Sequence, residues 1–137
     1  MGLYLCVWDE VEEVDGVEVG SYVDYGRFIE KVVEHVEGGA RGSRCPTLTL
    51  HSDCDGQWSP EECIQLRKEL NQISQAFAAL PPIPLSELWQ QMVAKTMGLQ
   101  PKVLLDCFFD VDGEPLVARL VNLSQVAIDR GKPILFQ

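Results

Sequence analysis

The chain has 137 residues, 46% of them hydrophobic and 23% charged, which fits one globular domain and excludes a disordered polymer. Its net charge of −10 argues against nucleic acid as a partner and leaves room for a basic protein. No run of about 18 apolar residues occurs, so no segment is expected to span a membrane.

The charge is unevenly placed. Asp9, Glu10, Glu12, Glu13, Asp15, Glu18, Asp24, Glu30, Glu34 and Glu37 stand against only Arg27 and Lys31 at the N-terminal end. The beginning, MGLYLCVWDE, has no basic lead and too short an apolar run for a signal peptide. Cys6 replaces the Ser or Thr that an N-myristoylation pattern needs. The expected location is therefore the cytoplasm. Cys6, Cys45, Cys54, Cys63 and Cys107 form no C-x-x-C pair, and reduced thiols acting as small core residues are expected.

In chain order, LYLCVW (3–8) reads as a buried strand. DEVEEVDGVEVGSY then alternates valine with acids around Asp15-Gly16, a dipeptide favoured in two-residue hairpin turns. Val11, Val17 and Val19 are expected on one face of that hairpin. From Tyr22 to Glu37 the period becomes helical, with Tyr25, Phe28, Ile29, Val32, Val33 and Val36 in one stripe. Ser21 and Asp24 suit its capping box, and Gly38-Gly39 its end.

GGARGSRCP is a loop, but it runs from helix to strand and lacks Gly-Lys-Ser/Thr, so phosphate binding is not expected. TLTL (47–50) reads as a second strand. A long helix follows over about 60–80, its seam formed by Cys63, Leu66, Leu70, Ile73, Phe77 and Leu80. LPPIP breaks it. Ser86 then caps a helix carrying Leu88, Trp89, Met92 and Val93 and ending near Gly98.

After a short apolar segment, a last helix begins near 114 and buries Leu116, Val117, Leu120, Val121, Leu123 and Ala127. Gly131 ends it, and KPILFQ reads as a closing strand. This order predicts an α+β or α/β domain over residues 1–137. A small sheet of three to four strands, including the N-terminal hairpin, packs against about four helices.

HSDCDGQWSPEEC (51–63) is the densest cluster of chemistry-bearing residues. With Gly56 on the sixth position of a calcium loop, Asp53, Asp55 and Glu62 fall on carboxylate positions. His51 then takes the first position, where a hard oxygen is needed, and Pro60 interrupts the loop. In the second copy, at Asp110 and Asp112, Phe108 and Arg119 occupy ligand positions. His51, Cys54 and Cys63 match no familiar zinc spacing. A nucleophilic pair of Cys54 with His35 or His51 lacks an oxyanion pattern or an orienting third residue.

A structural reading accounts for more of the letters. Asp53, Asp55 and Gly56 reverse the chain, Ser59 caps the helix, Pro60 opens it, and Glu62 completes a capping box. Trp58 precedes the cap and can staple onto Cys63. DVDGEPL does the same at the last helix, with Glu114 and Pro115 in its opening turn.

Taken together, MGLYLCVWDE, DGVEVGSY, HSDCDGQWSPEEC, LPP, DVDGEPL and the terminal PILFQ resemble immunity protein family seventy of bacterial polymorphic-toxin systems. The resemblance runs from Met1 to Gln137. It implies a non-enzymatic protein without cofactor or metal, whose partner is a cognate protein toxin. No catalytic residue carries over.

Many nuclease toxins have basic clefts, so an acidic block at residues 9–18 can cover one, and Asp9, Glu10, Glu12, Glu13, Asp15 and Glu18 are the candidate toxin contacts. Trp58 or Trp8 is the candidate aromatic anchor. Two alternatives compete: a small metal-dependent protein or enzyme using the Asp53/Asp55 loop, and a general acidic nucleic-acid mimic.

Overall fold

Alternation along the first strand decides which way the sheet faces. In the computed structural model, which describes residues 2–137, strand β1 (Gly2–Trp8) buries Leu3, Leu5 and Val7 completely. Its neighbour β2 (Glu13–Ser21) adds Val17 and Val19 to the same face. Strands β3 (Gln57–Trp58) and β4 (Ile134–Phe136) complete a four-stranded antiparallel sheet in the order β2-β1-β4-β3. The closing strand read from KPILFQ is thus central, and the fold is α+β.

The hairpin turn is not at Asp15-Gly16. The chain reverses at Asp9–Glu12, where the Asp9 carboxylate accepts the Val11 and Glu12 N–H groups at 2.7 and 2.8 Å. Such a side-chain-to-backbone turn competes well with Asp-Gly. Asp15 and Gly16 instead lie within β2, opposite Val7 and Cys6. A Cβ at Gly16 would collide with the Tyr4 phenol, so the glycine makes room for that ring. Val11, expected beside Val17 and Val19, sits on the turn and is exposed.

Four substantial helices accompany the sheet. In α1 (Tyr22–His35), Ser21 Oγ accepts the Asp24 N–H at 3.1 Å and the Asp24 carboxylate accepts the Ser21 N–H at 2.8 Å, closing the expected capping box. In α3 (Pro60–Ala78), Ser59 and Glu62 close a second one. The seam Cys63, Leu66, Leu70, Ile73 and Phe77 is fully buried, chiefly against α5 (Leu116–Arg130). Each large apolar side chain there contributes about 1.5–3 kcal/mol of burial. Phe28 of α1 meets Phe77 and Phe108 at ring-centroid distances of 6.2 and 5.3 Å, knitting three elements.

TLTL is not a strand. Pro46–Thr49 form a one-turn helix, α2, with Pro46 in its first turn. The Glu69 carboxylate of α3 accepts the Leu48 and Thr47 N–H groups at 3.0 and 3.3 Å, filling the helix's free donors from outside. The Glu37 carboxylate, just past α1, accepts the Cys45 and Arg44 N–H groups at 2.9 and 3.1 Å. Two buried carboxylates therefore hold this connection.

Helix α4 (Leu88–Met97) has Glu87 rather than Ser86 at its N-cap position, without a side-chain cap hydrogen bond, and it ends at Gly98 in the left-handed region. Leu88 and Met92 are exposed, and only Trp89 and Val93 of the expected stripe turn inward. Trp89 Nε1–H donates to Asp24 at 3.1 Å, which orients the helix. A 3-10 turn (Leu104–Cys107) leads into α5, whose first residue is Leu116 and where Val121 is only half-buried.

Candidate protein interface

The opposite parity of β1 presents Tyr4, Cys6 and Trp8 on the outer face of the sheet. Trp8 is 41% exposed, Tyr4 half-buried, and Cys6 fully covered. Cross-strand pairing places Glu18 beside Tyr4, Glu13 beside Trp8 and Leu135 beside Cys6. An aromatic and aliphatic strip thus runs along the outer face, with carboxylates along the β2 side and at the turn.

The six hairpin acids do not share one role. Asp9 is consumed by the turn, and its two backbone N–H donors hold its carboxyl below the usual range. Asp15 points inward, accepting the Gly16 N–H at 2.9 Å and lying 3.4 Å from the Arg119 guanidinium of α5. Glu10 pairs with Lys132 at 3.0 Å. Glu13 accepts the Tyr4 hydroxyl at 2.8 Å; burial, then this bond and the Glu13 charge, push the phenol up to about 12. Glu12 and Glu18 are exposed and have no side-chain partner among the described residues.

Trp58 is not on this surface. It is 1% exposed, donates its indole N–H to Thr47 O at 2.9 Å, and packs edge-on against Phe136 at 4.7 Å. Burial beneath the cap removes it as an anchor for a partner, and Trp8 is the exposed indole of the sheet. Tyr4 and Leu135 were missed in the sequence, although strict alternation in LYLCVW puts Tyr4, Cys6 and Trp8 on one face.

The free edge of β2 is closed to another strand. Glu18 O accepts the Val111 N–H at 3.0 Å, and Gly16 O accepts from Arg119 at 2.6 Å. The second Asp-x-Asp-Gly is what brings Val111 there. Asp110 is 2% exposed, accepts the Asp112 and Glu114 N–H groups at 2.9 and 3.0 Å, and faces Arg119 at 3.6 Å.

In the first loop, both His51 ring nitrogens face backbone carbonyls, Ser52 O at 2.7 Å and Gln57 O at 3.0 Å. Its ring stacks on Phe136 at 4.4 Å. Cys63 is buried, while Cys54 is exposed. Among the described residues, no group of three or more His, Cys, Asp or Glu side chains could hold a metal ion. No described helix is long and apolar enough to cross a membrane.

The domain is α+β, with carboxylates along the outer face of its sheet and at the hairpin turn. More particularly, the chain matches the model of the family Immunity protein 70 over residues 3–136 and belongs to that family. No curated protein and no solved structure matches it.

Proposed function

We propose that this immunity protein binds one cognate polymorphic toxin and neutralises it in the cytoplasm of the bacterium that makes it. The contact is the hairpin and the outer sheet face, with Trp8 as anchor and Glu10, Glu12, Glu13 and Glu18 around it. The toxin surface is basic, and a nuclease domain with a cationic cleft is the class that fits best. The observation that carries this reading is the exposed Trp8 beside Glu13 and the turn acids, with Glu18 further along beside Tyr4; Glu12 and Glu18 have no side-chain partner among the described residues.

An exposed indole within a charged rim is the usual anatomy of a binding hot spot. Complementary charge raises association rates by about 10–1000-fold, and an inhibitor of a toxin needs speed. Membership of the family supports a protein partner.

The test uses the toxin domain encoded beside this gene. Cells expressing that domain should grow only when this chain is co-expressed. In surface-binding kinetics, Glu12→Lys with Glu18→Lys should slow association about tenfold or more and flatten its salt dependence. Trp8→Ala should mainly accelerate dissociation, also about tenfold or more. Unchanged kinetics in both variants would remove the hairpin from the interface, and absence of protection would remove the toxin reading. Capture of many basic proteins, all lost at moderate salt, would favour a general acidic mimic.

A further inference from the structure

Helix α4 leaves most of its apolar side chains unused inside the domain. It has ten residues, fewer than the about 12–15 at which an isolated helix holds itself in water, so its stability has to come from packing. Yet Ala94 is its only buried residue. Among the described residues nine large hydrophobic side chains are exposed, and four of them fall here. Leu88, Met92 and Met97 of α4 are 71, 60 and 55% exposed, and Val111 beside the helix is 38% exposed.

These residues form a ridge and a groove side by side. Leu88 and Met92, four residues apart, stand one above the other as an outward ridge. Trp89, Val93 and Met97 make the next row round the helix. Together with Gly20 and Val111, Trp89 and Val93 line a largely apolar groove of about 400 Å³. Its wall is held in place: the Trp89 indole N–H donates to Asp24 at 3.1 Å, and the ring meets Phe109 edge-on at 5.9 Å. A Cβ at Gly20 would come within 3.2 Å of the Trp89 ring, so the glycine keeps the groove open at that end.

Rows of side chains four residues apart are the ridges that interlock when two helices pack, at a crossing angle of about 50°. A ridge beside a matching groove is self-complementary. Turned about a two-fold axis, the ridge of one molecule meets the groove of the other, and the reverse.

Charge selects the occupant. Lys95 is the only charged residue of α4; it is exposed and has no ion-pair partner among the described residues. A basic partner, of the kind proposed for the hairpin, would meet a like charge here. The chain itself has a net charge of −10, so copies of it repel wherever their acids face one another, and α4 contributes none. The carboxylates at the rim, Glu87 just before the helix and Asp112 next to Val111, are opposite in sign to Lys95. In an antiparallel pair of α4 helices the Lys95 end of each lies over the Glu87 end of the other.

We propose that two copies of this chain associate through α4, antiparallel across a two-fold axis, with Leu88 and Met92 of each entering the groove between Trp89 and Val111 of the other. The face is small. A ten-residue helix is about 15 Å long and about 10–12 Å across. The buried area therefore stays below the about 1,200 Å² at which stable interfaces begin, and the dimer dissociates on dilution. Self-association uses neither the hairpin nor the outer sheet face, so it does not rest on the proposed function.

Sedimentation velocity tests this on the full chain, in reducing buffer so that the exposed Cys54 forms no cross-link. Between about 1 µM and about 1 mM the mass should rise from the 15.3 kDa monomer to twice that and stop there. Leu88→Glu and Met92→Glu, both at positions exposed in the monomer, should each weaken the dimer about tenfold or more by burying an unpaired charge in each copy. Lys95→Glu should weaken it about fivefold. Ile64→Glu, at an exposed apolar position on α3, should leave it unchanged. The Trp89 indole N–H resonance should shift in step with the mass, while that of the buried Trp58 stays fixed. A monomer mass at every concentration, growth beyond the dimer, equal weakening by Ile64→Glu, or indifference to the Leu88 and Met92 variants overturns the proposal. So does a Trp89 resonance that moves only when the toxin domain is added, which would give this face to the toxin.

Discussion

Glu37→Gln isolates one buried carboxylate that holds the loop between α1 and α2. Glu37 is 3% exposed, and one oxygen accepts the Arg44 and Cys45 N–H groups and lies 3.3 Å from the Thr49 hydroxyl. Its other oxygen is buried without a partner. Burial pushes the carboxyl up, but the N–H groups of Cys45, Arg44 and Gly42 and the Thr49 hydroxyl outweigh it and hold it below its ordinary 4.5. Glutamine can place its carbonyl at the accepting position, reducing two charge-assisted bonds to neutral ones, a loss of about 1 kcal/mol each. Its amide NH₂ then takes the place of an oxygen that is itself unpartnered, so this position adds little to the difference. The expected loss at pH 7 is thus about 2 kcal/mol, a substantial part of the 5–15 kcal/mol typical of a domain.

The same geometry sets the sign of the pH dependence. Because the folded carboxyl is depressed, its contribution is complete above the ordinary value and disappears as pH falls through the folded one. Urea unfolding of both proteins at pH 7 and at pH 3 measures this directly. The gap between them should be widest at pH 7 and shrink at pH 3, where protonation makes wild type resemble the variant. Equal midpoints at pH 7, or a gap that widens in acid, would refute the role given to Glu37.

Gly16→Ala should cost about 1–3 kcal/mol by overpacking against the Tyr4 ring; a thermal melt should show the loss largely relieved when Tyr4→Ala is added. Gly26→Ala, in α1 with open space around it, should instead stabilise by about 0.5–1 kcal/mol, read as a higher urea midpoint. Native protein at pH 8 should expose one fast-reacting thiol, Cys54, to an aromatic disulfide reagent, and denaturant should release five. Burial pushes Cys45 and Cys63 up to about 12 and raises Cys6 and Cys107 as well, leaving little thiolate; a second fast thiol in the native state would contradict that burial.

Local chemistry was legible in the sequence, and chemistry supplied from a distance was not. Ser21 with Asp24 and Ser59 with Glu62 are self-contained within four residues, so both capping boxes could be read directly. TLTL has a strand's composition but becomes α2 because Glu69, 21 residues from Leu48, fills its N–H groups. Asp15-Gly16 carries the signature of a turn, but the decisive pair is Gly16 with Tyr4, on another strand. Trp58 could be placed beside the cap from sequence. Whether it faced the core or a partner depended on Phe136 at the far end of the chain. Of the six hairpin acids, the surface role of Glu12 and Glu18 follows from the pattern, while the inward turn of Asp15 depends on Arg119.

These placements separate what holds the domain together from what the proposed interface uses. The inner face is built from Leu3, Leu5, Val7, Val17 and Val19 against α1 and α5, and none of these residues reaches the outer surface. Asp9 and Asp15, the two hairpin acids tied into turn and helix, are the ones the backbone needs. The Glu12 and Glu18 side chains have no hydrogen-bond or ion-pair partner among the described residues, and surface substitutions of that kind usually change stability by less than about 0.5 kcal/mol. Under the proposed function, these two carboxylates are therefore the ones free to meet a basic partner without cost to the fold.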